Sequence, residues 1–220
     1  MGRVPRYIAS GVVASIVILA AILLLKPTGL GGSLAFADVQ EAMRRIDTAV
    51  VDIKCPKRPS GNHRLYLARG HNGERKDFDG GVFLLDCDQG KVMVLDHKNK
   101  TARFETIPSL KGYEHSTALD KYFDFLSNVD QHAVKHLGLQ EIEGRKLIGF
   151  HVERPGNNIN CFVWIDPKTR LPVCAEERPV DPNDKNAALI ETNYVFSFNK
   201  PLDDSLFKLA VPEGYRIVEE

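Results

Sequence analysis

The 220-residue chain has no C-x-x-C pair, one tryptophan, and no excess of charge of either sign: 29 basic residues stand against 29 acidic ones. Each shortage excludes something. Without paired C-x-x-C spacing, thioredoxin-like and zinc-ribbon readings lose their basis. Without a basic block there is no electrostatic footprint for nucleic acid, so neither DNA nor RNA is expected as a partner. Neither G-x-G-x-x-G nor G-x-x-x-x-G-K-[ST] occurs, and no G-x-S-x-G elbow picks a nucleophile from the serines. The expectation is of a protein without cofactor or bound metal that is not an enzyme.

What the sequence does have is an uncharged run, Tyr7–Leu25. Nineteen residues at 1.5 Å each make a helix of about 28 Å, enough to cross the hydrocarbon core of a bilayer. Arg3 and Arg6 precede it and Lys26 alone follows. The positive flank stays cytoplasmic, which predicts a cytoplasmic tail 1–6, a transmembrane signal-anchor 7–25, a linker 26–35 and an extracytoplasmic domain 36–220. Ala35-Phe36-Ala37 has the form of a cleavage site, but the apolar run is longer than a signal-peptide core and ends well before it. The localisation expected is therefore the cytoplasmic (inner) membrane, single-pass, with the domain in the periplasm or an equivalent extracytoplasmic space.

The domain's pattern is α+β. Asp38 and Glu41 have capping-box spacing ahead of an apolar face of Val39, Ala42, Met43 and Ile46. Short alternating runs then follow from Ala49 to Thr106, separated by Gly-, Asn- and Asp-rich turns, as in an antiparallel meander. Leu119, Tyr122, Phe123 and Leu126 form a helical stripe, and a second short helix is expected over Asp130–Leu137, ending at Gly138. A second β run occupies Lys146–Glu153, Ile159–Ile165, Leu171–Glu177 and Ala188–Phe198, for nine strands or ten. His132 and His136 would share a face of the second helix, but no third metal ligand accompanies them, and an exposed polar face accounts for the pair. Asp86 and Asp88 lack calcium-loop spacing and suit a turn.

The only tryptophan lies in FVWIDPKTRLPV. A four-residue type I turn at Asp166–Thr169 would set Trp164 opposite Leu171 and Phe162 opposite Val173. It would also set Cys161 opposite Cys174, within disulfide range, and leave Cys55 and Cys87 as the other two. Four buried free thiols are the alternative. On this register Phe162, Trp164, Leu171 and Val173 share an apolar face. So much apolar sheet surface fits either a well-packed core or a curved sheet around an incompletely filled hollow; in the second case that face would point inward, because Arg170 and the cysteines lie opposite, with Leu119, Tyr122, Phe123 and Leu126 on a covering helix.

The order of elements, with the segments LAFADVQEAM, KVMVLDHKNKTA, EIEGRKLIGFHV, FVWIDPKTRLPV and PLDDSLFKLAVPEGY, resembles a membrane-anchored branch of the LolA/LolB-like superfamily. That superfamily comprises periplasmic lipoprotein carriers and the sigma-E regulatory sensors. The resemblance implies an antiparallel half-barrel closed by helices, with an apolar hollow for acyl chains. A tethered chain cannot shuttle, so the implied role is fixed: binding of an acyl chain, lipid or lipidated protein. The alternatives are a sensor acting through a membrane-bound anti-sigma factor, or a scaffold with a filled core.

Overall fold

The computed structural model describes residues 34–110, 117–153, 159–181 and 191–219. Residues 35–220 form one compact unit. The expected transmembrane segment, 7–25, lies outside the described residues, and among those described no helix is long and apolar enough to cross a membrane.

Twelve described strands make one sheet. A first meander runs through β1 (Thr48–Lys54), β2 (His63–Ala68), β3 (Gly73–Phe78), β4 (Gly81–Asp86), β5 (Lys91–Asp96) and β6 (Thr101–Thr106). A second runs through β7 (Val134–Ile142), β8 (Arg145–Glu153), β9 (Ile159–Ile165), β10 (Pro172–Pro179) and β11 (Thr192–Phe198). The two join where β11 pairs antiparallel with β1, Phe198 opposite Ala49 and Tyr194 opposite Ile53. Short β12 (Arg216–Ile217) lies parallel to β6 at one edge, and β7 forms the other.

Two helices, α1 (Phe36–Met43) and α2 (Ala118–Ser127), pack against each other, and α2 packs on β2. The apolar stripes read from the sequence are the buried ones: Val39, Met43 and Ile46 with α1, and Leu119, Phe123 and Leu126 on α2. Phe123 meets Phe196 and Phe198 edge-on, with centroids 5.9 and 5.4 Å away. These contacts define the inner face of the sheet, which also carries Val51, Leu65 and Val163. The expected Asp38 cap of α1 is not made; Ala35 holds the N-cap position without a side-chain bond. Instead α2 carries the capping box: the Thr117 hydroxyl accepts from the Asp120 N–H, and the Asp120 carboxylate accepts from the Thr117 N–H.

The outer face is covered at one end by the chain's own C-terminus. Leu209, Val211 and Tyr215 pack on a cluster of Val82, Leu84, Met93, Leu95 and Ala102. Along the way Phe207 stacks on His71, and Arg75 donates to the Leu206 carbonyl. Gly81 opens β4 where its neighbour presses closest, and a Cβ there would overlap the Leu95 carbonyl oxygen.

Three expectations are corrected. The segment expected as a second helix, Asp130–Leu137, is a single 3-10 turn (Gln131–Ala133) running into β7. His132 and His136 therefore share no helix face, and the His136 ring instead meets Phe150 edge-on at 5.0 Å. Strand β3 also adds to the count, with polar Glu74, Arg75, Lys76 and Asp77 in its middle.

The third correction is the register around Trp164. The loop between β9 and β10 holds six residues, not four: the Asp166 N–H donates to the Leu171 carbonyl, and Arg170 adopts φ 61°. A bulge between Pro172 and Cys174 shifts the ladder again. Trp164 thus faces Cys174, Phe162 faces Glu176, and Cys161 faces Glu177. Side chains alternate between faces along a strand, so Cys161 and Cys174 end on opposite sides of the sheet. They cannot form the expected bridge, and all four thiols, Cys55 and Cys87 included, are free.

Candidate functional site

With that register the inner face of β9 is Cys161, Val163 and Ile165, all fully buried. Their partners on β10 are Glu177, Ala175 and Pro172. On β11 the same face carries Tyr194 and Phe196, whose rings lie parallel with centroids 6.1 Å apart. Helix α2 crosses above, and its Tyr122 and Phe125 line the same space as the sheet residues. Between them lies a hollow of about 240 Å³, its floor formed by Cys161, Ala175, Tyr194 and Phe196, with Glu177 in the wall. It is half open to solvent.

Two phenols and one carboxylate set the hollow's electrostatics. The Tyr194 hydroxyl donates to Glu177 Oε2 at 2.7 Å. Burial pushes the Tyr194 pKa well above its ordinary value, with the Glu177 charge adding to it. Burial likewise raises Tyr122, followed by the charges of Glu177 and Glu74. Both phenols are therefore neutral donors at physiological pH.

The residues singled out in the sequence separate into two places. Tyr122 lines the hollow. Leu119 and Phe123, its neighbours on the stripe, are buried beneath α2 and also line a groove of about 440 Å³ between α1 and α2. Arg44, Asp120, Lys121 and Asp124 rim that groove, so water fills it at little cost. Phe162 and Trp164 lie on the outer face. Phe162 stacks on His151 at 4.9 Å, with the Arg178 guanidinium 5.5 Å from its ring centroid. Leu171 sits in the turn and Val173 at the bulge, both half-buried. Ala175 and Glu177 were missed as a site because both faces of β9 are apolar and the inward face was chosen by the presence of Arg170 and the cysteines on the other, whereas Cys161 is on the buried inner face.

The hollow is held in place by polar ties to the helices. Arg69, at the end of β2, donates to the carbonyls of Arg44 and Ile46 after α1, and its guanidinium lies 3.1 Å from Asp120 at the start of α2. Gln40, the buried polar residue of α1, donates to the Val129 carbonyl just past α2.

No family model and no curated protein matches the chain. Solved structures similar to it include the Mycobacterium tuberculosis lipoprotein LppX, at 14% identity and TM-score 0.47, covering 77% of this chain and 97% of that one. The complex of MucA and MucB from Pseudomonas aeruginosa is similar at 11% identity and TM-score 0.40, covering 79% and 59%. A LolA superfamily protein from Nitrosomonas europaea follows at 9% and 0.31, covering 80% and 98%. Each of these is a likeness of architecture at low sequence identity.

Proposed function

We propose that the chain is a non-catalytic binding module that takes an apolar, acyl-like group into the hollow beneath α2. Residues 7–25 hold it at the cytoplasmic membrane, with residues 36–220 on the far side. The observation that carries this reading is the unfilled volume between Tyr122 and Phe125 above and Ala175, Tyr194 and Phe196 below. Close-packed cores leave few voids larger than a water molecule. A half-open, aromatic-walled void in the middle of the inner face is a place for a ligand.

Size limits what enters. At roughly 30 Å³ per water-sized group the hollow takes about eight such groups, so a whole C16 chain does not fit unless α2 moves. Eight methylenes contribute about 6 kcal/mol gross, and association costs of about 4 kcal/mol or more offset most of it. A free short-chain ligand therefore binds weakly. A lipidated protein or membrane lipid presented at high local concentration beside the anchor overcomes that cost.

The test is to fill the hollow. Full-length protein is placed in phosphatidylcholine nanodiscs and titrated with octanol by calorimetry, with empty nanodiscs as blank. The expected result is saturable binding that Ala175→Phe abolishes while the thermal melting transition stays cooperative. No saturable binding, or binding unchanged in a folded Ala175→Phe, would overturn the proposal.

A further inference from the structure

Strand β7 is an edge of the sheet, and no described strand pairs with its free side. The opposite edge, β12, is two residues long, whereas β7 runs nine. Its backbone therefore offers a long row of donors and acceptors to another strand. The bulge sets Leu137 and Gly138 together against Gly149, which fixes the face of the residues on either side. His136 lies opposite Phe150 and Leu139 opposite Ile148, so Val134, His136, Leu139 and Glu141 share the inner face. Leu139 is 57% exposed there. The His136 Nδ1 accepts from the Gly138 N–H at 3.0 Å, which leaves the hydrogen of the neutral ring on Nε2. Among the described residues the Glu141 carboxylate makes no ion pair, although Lys146 stands opposite it on β8.

We infer that this edge is an interface between two copies of the chain, β7 of one pairing antiparallel with β7 of the other about a two-fold axis at Leu139. In that register the strand is its own complement. Leu139 meets Leu139 of the second copy on the inner face, and His136 meets Glu141 of the second copy on both sides of it. An Nε2–H donor thus faces a carboxylate twice, each pair adding a charge-assisted hydrogen bond. On the outer face Lys135 lies opposite Ile142, and the bulge opposite Gln140, so no like charges are opposed. Moving the register by one step in either direction that keeps the faces sets Glu141 against Val134 or Leu139 instead, and the match is lost. The bulge and the inner-face His136 and Glu141 also discourage an arbitrary strand, which would leave polar groups against apolar ones. Two-fold pairing uses both β7 edges, so assembly closes at two copies and builds no fibre.

The experiment follows full-length protein in detergent micelles by sedimentation velocity across a concentration series. The natural sequence should sediment as a concentration-dependent dimer. Leu139→Lys sets two ammonium groups opposite each other and should weaken the dimer at least about tenfold, with melting still cooperative. His136→Glu should weaken it too, by opposing two carboxylates, and adding Glu141→His to that variant should restore it. Leu139→Cys, oxidised with copper phenanthroline, should give a dimer linked through position 139 in peptide mapping, whereas Lys135→Cys should not link to itself. This cross-link decides the matter if Leu139→Lys does not fold. A monomer at every concentration, or no link through position 139, would overturn the proposal. So would a dimer of undiminished strength in folded Leu139→Lys, which would be held together elsewhere in the chain.

Discussion

The Trp164 indole N–H donates to Gln140 Oε1 at 2.8 Å, reaching across β8 from one neighbouring strand to the other. It passes over Gly149, where an added Cβ would lie 3.4 Å from the indole nitrogen. Trp164 is thus a packed residue of the outer face, 8% exposed, and not a wall of the hollow. Trp164→Ala is expected to cost about 3–5 kcal/mol in urea unfolding. Gln140→Leu, which strands the indole N–H, is expected to cost about 1–3 kcal/mol. Octanol binding should be unchanged in both folded variants; a weakened affinity would place Trp164 in the site after all.

The cysteines give a chemical test of register. Peptide mapping under non-reducing conditions is expected to recover Cys161 and Cys174 as free thiols, because they lie on opposite faces of the sheet. Burial, followed by the charges of Glu176 and Glu143, pushes the Cys174 thiol up to about 11. Its alkylation at pH 8 in native protein should therefore be slow, and should accelerate as pH rises towards that value. Recovery of a peptide linked through Cys161 and Cys174 would refute the register.

Alkaline stability should report the buried phenols. An unfolded tyrosine ionises at about pH 10, whereas Tyr194 and Tyr122 hold their protons to higher pH in the fold. Above that pH the native state binds more protons than the unfolded one, so stability falls as pH rises. Below it, both states are protonated and nothing is lost. Replacing either tyrosine with phenylalanine should make the decline above pH 10 shallower, measured by urea midpoints across that range. An unchanged slope in both variants would mean that neither phenol is buried.

The β7–β8 hairpin offers a stabilising change. Glu143 and Gly144 both adopt positive φ, 50° and 74°, in a two-residue loop between Ile142 and Arg145. That geometry is a type I′ turn, for which Asn-Gly is the favoured pair. Glu143→Asn should raise stability by about 0.5–1 kcal/mol, read as a shift of the denaturation midpoint. A lowered midpoint would argue that the Glu143 side chain contributes where it stands.

The sequence displayed the architecture better than the site. The α1 and α2 stripes and the common face of Tyr194, Phe196 and Phe198 were legible because their apolar residues repeat with one period against a polar opposite side. Strand β3 hid behind Glu74–Asp77, whose charges pair within the strand, Lys76 with Glu74 and Arg75 with Asp77. Strand β7 hid because His132 and His136 have helical spacing while Gly138, at φ 84°, lies mid-strand beside a bulge. Finding the hollow required knowing which way β9 faces. That followed from its place in the whole sheet, while a loop two residues longer than expected and one bulge set which β10 residues lie beside it, and neither leaves a periodic trace.

The seam between β1 and β11 sets the order in which the sheet can be assembled. Every other antiparallel pair joins strands that follow one another along the chain, so each meander closes short loops and zips locally. Pairing Ala49 with Phe198 must wait until nearly the whole domain is present. During synthesis the first meander therefore stands with the β1 edge bare, a template for unwanted strand addition. The hollow is floored in part by β11, so its floor is complete only once that late strand has joined the sheet.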